Sequence, residues 1–273
     1  MSLKGEIRWF GHTLSATLKQ LRIVPIGDIH YGNPLCSIKH LDKVILWVQE
    51  NEDMFYVLPG DLCESAVRSS KGDLFKQVGT PQDQRDWIIK RFKPIKSKCL
   101  GVVRGNHEER IYQDTGIDIC KDIAEALGAP YRPEGMLLKI SFGDNNISIP
   151  NKPFVYWGYI THGYGGARTK SAKAVKVERV STWIHADFYI ISHDHVVNIA
   201  PDIYLLPDNR GVFDTQTGFT TGKVSAKRKM LIKTNAYLKW GDYSEARGFP
   251  PTDLEPVIIT LAGQGKPNVS VRV

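Results

Sequence analysis

Five times along this chain a short apolar run ends in a cluster of Asp, Asn and His. The run 21–27 leads into Asp28-Ile29-His30, and 54–58 leads into Gly60-Asp61. The run 99–104 leads into Gly105-Asn106-His107-Glu108, 154–161 into His162-Gly163, and 187–192 into His193-Asp194-His195. Apolar runs of this length closed by turn residues read as buried strands. In the first half they alternate with helical segments. Leu41, Val44, Ile45 and Val48 fall at helical spacing within 37–49, where Ser37 is a plausible cap. Thr80-Pro81 opens a helix over 80–92, and Gly128 and Pro130 stop one over 116–127. A βαβα order predicts a sheet with parallel strand pairs. Sites in such sheets form in the crevice beyond the carboxyl ends of the strands. The chain must therefore fold so that five strand ends meet.

The second half reads differently. Strands are expected over 136–142, 146–150, 154–161, 187–192, 196–200, 230–238, 256–261 and 269–273, with a helix over 170–184. Residues 207–222 are rich in Gly, Asp, Asn and Thr and read as a long surface loop. With no internal repeat and no linker composition, 1–273 is expected to be a single domain.

Carboxylate, imidazole and amide oxygen together suit transition-metal ions. In Asp28-x-His30 and His193-x-His195 the spacing would turn both side chains to one face of an extended segment. Glycines at 60, 105 and 163 permit tight turns beside them. Seven such ligands exceed the needs of one ion. Two ions about 3.5–4 Å apart that share a carboxylate account for the number.

Composition sets the outer bounds. Of 273 residues, 42% are hydrophobic and 24% charged, an ordinary soluble balance. No run has the roughly 18–20 apolar residues of a membrane helix. Lys4, Glu6 and Arg8 leave the first ten residues without an apolar signal core, so a cytoplasmic protein is expected. Cys36, Cys63, Cys99 and Cys120 form no CxxC pair and read as free thiols, with Cys63 a small buried hydrophobe. The net charge of +7 is concentrated in 90–98, 168–179 and 223–233. Such stretches are either solvated surface or a footprint for a polyanion.

The order Asp-x-His, Gly-Asp, Gly-Asn-His-Glu, His-Gly, His-x-His resembles the calcineurin-like metallophosphoesterase superfamily over 28–195. The resemblance implies an α/β fold, a four-layer αββα sandwich of two mixed β-sheets flanked by helices. It implies that Asp28, His30 and His195 hold one divalent metal ion and that Asn106, His162 and His193 hold a second. Asp61 would bridge the two. Manganese is the first choice of ion, with Fe, Zn and Co compatible with the same donors. His107 would stand beside the substrate phosphate as a general acid or charge-stabilising donor. Glu64 or Glu108 would hold its tautomer, although Glu64 also suits a helix start. The activity implied is phosphoester hydrolysis, above all of diesters, by in-line attack of a metal-activated hydroxide.

Departures from the family refine this expectation. Ser192 stands where the last block usually has Gly, and Glu64-Ser65-Ala66 replaces the Asp-Arg-Gly of phosphoprotein phosphatases. With its double His block, the chain is nearer the phosphodiesterase and nuclease branches. Arg168 and Lys170 follow Gly165-Gly166 and would either grip a substrate phosphate or open a solvated helix. Three readings stay open: a phosphoesterase of small or nucleotide substrates, a DNA or RNA nuclease favoured by the basic stretches, and a non-catalytic interaction module. The complete ligand set and His107 argue against the third. The sequence gives no oligomeric state.

Overall fold

The computed structural model describes residues 8–68, 70, 74–143, 154–167, 169–246, 248, 250–251 and 253–273. The strands are β1 (Trp9–Leu14), β2 (Gln20–Pro25), β3 (Met54–Leu58), β4 (Cys99–Val102), β5 (Met136–Phe142), β6 (Phe154–Thr161), β7 (Phe188–Ile191), β8 (Asn198–Asp214), β9 (Phe219–Lys233), β10 (Ile258–Ala262) and β11 (Val269–Arg272). The helices are α1 (Ile38–Glu50), α2 (Pro81–Phe92), α3 (Asn106–Thr115), α4 (Ile119–Leu127), α5 (Lys170–Trp183) and the short α6 (Asp242–Ala246). A 3-10 segment, Lys93–Lys98, joins α2 to β4.

Two mixed sheets stack face to face. One has the order β11-β10-β2-β3-β4, and the other β1-β5-β6-β7-β9-β8. The β2–β3 and β3–β4 pairs are parallel, as the alternating order required. Leu21, Ile23, Val57 and Leu100 of the first sheet pack against Met136, Leu138, Ile140, Phe188, Ile190 and Ile232 of the second. Outside the first sheet lie α1 to α4, which bury Leu41, Val44, Ile88, Phe92, Ile111 and Ile123. Outside the second lies α5, which buries Val177 and Val180 against Tyr189, Ile191 and Leu231. The result is the αββα sandwich.

Local chemistry sets the helix ends. Thr80 caps α2 in a reciprocal capping box with Asp83, and Pro81 occupies the first turn. Ser37 precedes α1, but its side chain makes no capping bond. The helix expected over 116–127 is shorter. Gly116 is the left-handed stop of α3, and Asp118 caps a new helix that begins at Ile119. The expected strand at 146–150 lies outside the described residues. The expected surface loop at 207–222 is instead the outer part of a long β8–β9 hairpin, with a turn between Asp214 and Phe219. Its Gly and Asp content had hidden an alternating pattern. The strand expected over 230–238 ends at Lys233, where the chain turns towards the strand ends. All four cysteines are free, and Cys63 is fully buried.

In the second sheet β6 and β7 pack closely at a glycine. An added methyl at Gly158 on β6 would meet the Phe188 ring on β7 at 2.3 Å. Gly158→Ala is expected to cost about 1–3 kcal/mol through overpacking. Combining it with Phe188→Leu should recover part of that cost in urea denaturation. Plain additivity of the two changes would contradict the packing described.

Candidate metal centre

The five polar clusters follow β2, β3, β4, β6 and β7, and all five strands end at the same edge of the sandwich. Beyond the strands the loops continue to pair. Asp28 N–H donates to the Gly60 carbonyl at 3.0 Å, His30 N–H to the Asp61 carbonyl at 3.0 Å, and Tyr31 N–H to that of Leu62 at 2.9 Å. The expected extended Asp-x-His segment is not extended. Asp28, His30, Asp61, His193 and His195 all have left-handed backbone, with φ of 48, 50, 50, 71 and 52°. Such residues cost about 1–3 kcal/mol each and persist only where the surroundings over-determine them. Ser192 is free of this strain, which explains why Ser fits where Gly was expected; its neighbour His193 carries the positive φ. The left-handed turns also send His193 and His195 to different groups instead of one face.

In the first group, His30 Nε2 lies 3.1 Å from His195 Nε2 and 4.0 Å from Asp28 Oδ1. His195 Nε2 lies 3.4 Å from that same oxygen. In the second group, His162 Nε2 lies 3.0 Å from Asn106 Oδ1, 3.2 Å from Asp61 Oδ2 and 3.2 Å from His193 Nδ1. Asp61 Oδ2 also lies 3.8 Å from His30 Nε2, so it faces both groups. The seven residues expected as ligands are therefore brought together, in two sets of three with Asp61 between them.

The outward-facing atoms of these side chains are engaged. His162 Nδ1–H donates to the Pro59 carbonyl at 2.8 Å, and His193 Nε2–H to the Gly165 carbonyl at 2.6 Å. Asp28 Oδ2 accepts from His193 N–H, and Asp61 Oδ1 from His107 N–H, each at 2.9 Å. The atoms that remain pointing inward, Asp61 Oδ2, Asn106 Oδ1, His162 Nε2 and His193 Nδ1, confront one another. Asp28 Oδ1 is buried with no hydrogen-bond partner. Ligands held about 2.0–2.2 Å from one cation sit roughly 3–3.5 Å apart. The spacings fit divalent ions, and converging acceptors require a cation to be stable.

The electrostatics agree. Burial would raise the Asp61 pKa, but His162 and His107 hold it well below the usual carboxylate range. Burial would lower His30 and His162, yet neighbouring carboxylates raise each to about 9: Glu64 and Asp61 for the former, Asp61 for the latter. The carboxylates draw positive charge into the cluster.

His107 sits beside the groups, its Nε2 3.9 Å from Asp61 Oδ2. Its Nδ1–H donates at 2.7 Å to the backbone carbonyl of Glu64, so neither expected carboxylate holds its tautomer. The Glu64 carboxylate lies nearer His30, with Oε2 3.3 Å from Nδ1, and also accepts from the Asn33 amide. Glu108 is fully buried and accepts from the backbone amides of Cys63 at 2.8 Å, Asp61 at 3.1 Å and Gly105 at 3.2 Å. It binds the second and third clusters to each other. Here the chains almost touch: a methyl on Gly105 would fall 2.0 Å from the Asp61 nitrogen. Burial pushes His107 down to about 4.

The sequence reading left Asp194 without a role and missed its partners. Lys233 and Lys176 both pair with its carboxylate, the latter at 2.7 Å, and Lys173 Nζ donates to its carbonyl at 2.9 Å. Lys233 and Lys173 are buried and hold the turn that carries His193 and His195. A lysine closing the apolar run Met230-Leu231-Ile232 was the available signal.

A cleft of about 1060 Å³ opens over the centre, bounded by Asn33 to Leu35, Lys76, Arg110, Gly165 to Ala167 and Leu238. Lys170 is exposed at the start of α5 and does not line it, and Arg168 lies outside the described residues. Nor do the basic stretches surround the cleft. Among their described residues only Lys173 lines it. Lys98 instead binds the Val48 and Asn51 carbonyls at the end of α1, and Lys229 pairs with Asp202.

Glu108→Gln should be destabilising. The new NH₂ would confront amide donors, and each unsatisfied buried group costs about 1–3 kcal/mol. Denaturant unfolding at fixed metal concentration measures this. An unchanged midpoint would remove Glu108 from its organising position.

No family model matches this chain, and no curated protein matches it in sequence. Solved structures similar to it include the calcineurin-like phosphoesterase YfkN from Bacillus subtilis, with 13% identity and a TM-score of 0.43 over 92% of this chain and 90% of that one. They also include the nuclease MPE from Pseudomonas putida, with 11% identity and a TM-score of 0.36 over 92% and 87%. Vps29 complexed with Zn²⁺ from Entamoeba histolytica is another, with 10% identity and a TM-score of 0.34 over 92% and 98%. In the order of its five motifs, in its αββα sandwich and in the meeting of those motifs at one cleft, the chain resembles the calcineurin-like metallophosphoesterases.

Proposed function

We propose that this chain is a two-metal phosphoester hydrolase acting on diesters, with Asp28, His30 and His195 on one ion, Asn106, His162 and His193 on the other, and Asp61 between them. The observation that carries this reading is the convergence of the imidazole nitrogens of His162 and His30 on Asp61 Oδ2 at 3.2 and 3.8 Å. The donors are nitrogen and oxygen only, which suits manganese and also admits Fe, Zn or Co. Such ions supply Lewis acidity towards phosphoryl oxygens and lower the pKa of water towards neutrality.

The chain's own groups do the rest. Pro59, Gly165 and Glu64 fix the imidazoles of His162, His193 and His30 so that each presents a lone pair inward. His107 has its Nδ1–H fixed by the Glu64 carbonyl, so Nε2 is the atom that meets the phosphoryl group. An anionic substrate there favours the protonated imidazole against the effect of burial. In that form it stabilises charge in the transition state or donates the proton that a leaving alkoxide needs. The cleft of about 1060 Å³ is lined beyond the donor groups by Asn33, Lys76, Arg110 and Gly165, space for the two substituents that a diester carries. A polynucleotide is the weaker alternative, because the basic stretches that favoured it lie away from the cleft.

Chelation should abolish hydrolysis of a small chromogenic diester, and Mn²⁺ should restore it. Full turnover by protein shown metal-free by elemental analysis would end the proposal. His107→Gln should retain both ions and lower kcat about 10²–10⁴-fold. Asp61→Ala should lose metal. The reverse pattern in metal content would overturn the assigned roles.

A further inference from the structure

The β8–β9 hairpin outruns the sheet that bears it. β7 pairs with β9 only from Phe188↔Met230 to Ile191↔Lys233. β7 and β9 are parallel and end at the metal centre, so the rest of the hairpin projects in the opposite direction. From the Asp202↔Lys229 pair to the Asp214↔Phe219 pair it extends about 33 Å, the ten residue steps of β9. A two-stranded hairpin without further support is marginal in water.

Its two faces differ. Opposed residues of an antiparallel pair share a face. At the root, Ile199 and Ile232 point into the core between the sheets. The same face continues outward through Ile203, Leu205 and Pro207 on β8, and through Arg228, Ala226 and Val224 on β9. After the irregularity between Pro207 and Gly211 it reaches Phe213, opposite Thr220. Ile203, Leu205, Phe213 and Val224 are 64, 68, 60 and 59% exposed. The opposite face is polar near its root, with Asp202, Tyr204, Lys227 and Lys229, and rests there on α5. At this root Tyr204 meets His185 at 2.9 Å and Lys229 meets Ser181. Towards the tip the same face carries Leu206, Val212 and Phe219, so the contrast between the faces belongs to the inner half of the arm. Half-buried antiparallel sheets alternate in this way. Here the apolar face runs on past the sheet that would have covered it.

We propose that a second copy of this chain covers that face, two arms stacking by their apolar stripes about a two-fold axis. Three observations select this occupant. The stripe, fully covered, would remove on the order of 800 Å² from each arm, the size of a specific dimer interface. An isologous contact needs a self-complementary patch, and an apolar centre with its one charge, Arg228, at the root provides one. Strand addition is disfavoured at both free edges of the arm, at β8 by Pro201 and Pro207 and at β9, unpaired before Met230, by Lys223, Lys227 and Lys229. The partner therefore meets the face and not the edge. The metal centre lies at the other end and is left open by this association.

The test is sedimentation equilibrium of the metal-loaded protein, in parallel with turnover of the small diester. The wild type should be a dimer at micromolar concentration. Leu205→Glu with Val224→Glu should raise the dissociation constant by at least about a hundredfold, as loss of central contacts does. Lys227→Glu on the opposite face should leave the dimer intact. Metal content and diester turnover should be the same in all three proteins, which establishes that each has folded. A wild type that stays monomeric overturns the proposal, as does a dimer that survives the double substitution. If the monomer floats with anionic phospholipid vesicles, the stripe belongs to a lipid surface instead.

Discussion

The site depends on where the backbone is allowed to turn. At Asp28, His30, Asp61, His193 and His195 the chain leaves its strands in a left-handed conformation that L-residues avoid. Asp and His tolerate it better than most residues, but do not adopt it unaided. It is imposed by the paired loops beyond β2 and β3, by three amides gathered on Glu108, and by the lysines around Asp194. Each support is buried, so water cannot compete for its hydrogen bonds. The inward aim of the donor atoms follows from this frame.

Glu108 shows how much rests on one carboxylate. It spans the Asp61 and Gly105 turns at a point where the two backbones leave no room for a side chain. Asp61 and the loop carrying Asn106 and His107 are thereby set against each other at fixed distance. Burial and the charge of Asp61 raise its pKa, and the amides oppose them. The carboxylate is tolerated because nearly all its acceptor capacity is used.

What was legible in the sequence was periodic or chemical. Apolar runs ending in Asp and His gave the strand ends, and the family resemblance carried by the order of their motifs implied the architecture. Thr80-Pro81 gave a helix start because the capping chemistry is local. Gly116 was misread as an opening because a glycine marks a boundary without saying on which side the helix lies. The hairpin was misread because its alternating Ile203-Tyr204-Leu205 pattern fades into Asp208, Asn209 and Gly211, residues that also make loops. The roles of Glu64 and Glu108 depend on which backbone groups come near, a tertiary matter that no local spacing reveals. Lys233 closes an apolar run, a signal of burial, but its partner lies 39 positions away and no local spacing names it.

The two groups of donors have a mixed origin. Asp28 and His30 follow strands of the five-stranded sheet, while His195 follows a strand of the six-stranded sheet. Asp61 and Asn106 likewise come from the first, and His162 and His193 from the second. Every ion held here would be ligated from both halves of the sandwich, so it is also a rivet. Ligands that bind only the folded state add their binding free energy to folding. In this chain that free energy acts across the seam between the sheets, at the edge where Leu21 to Ile232 packing gives way to polar loops. Catalytic assembly and the cohesion of the two layers are therefore one equilibrium, and the scarcity of metal would be felt first as a loosening of that seam.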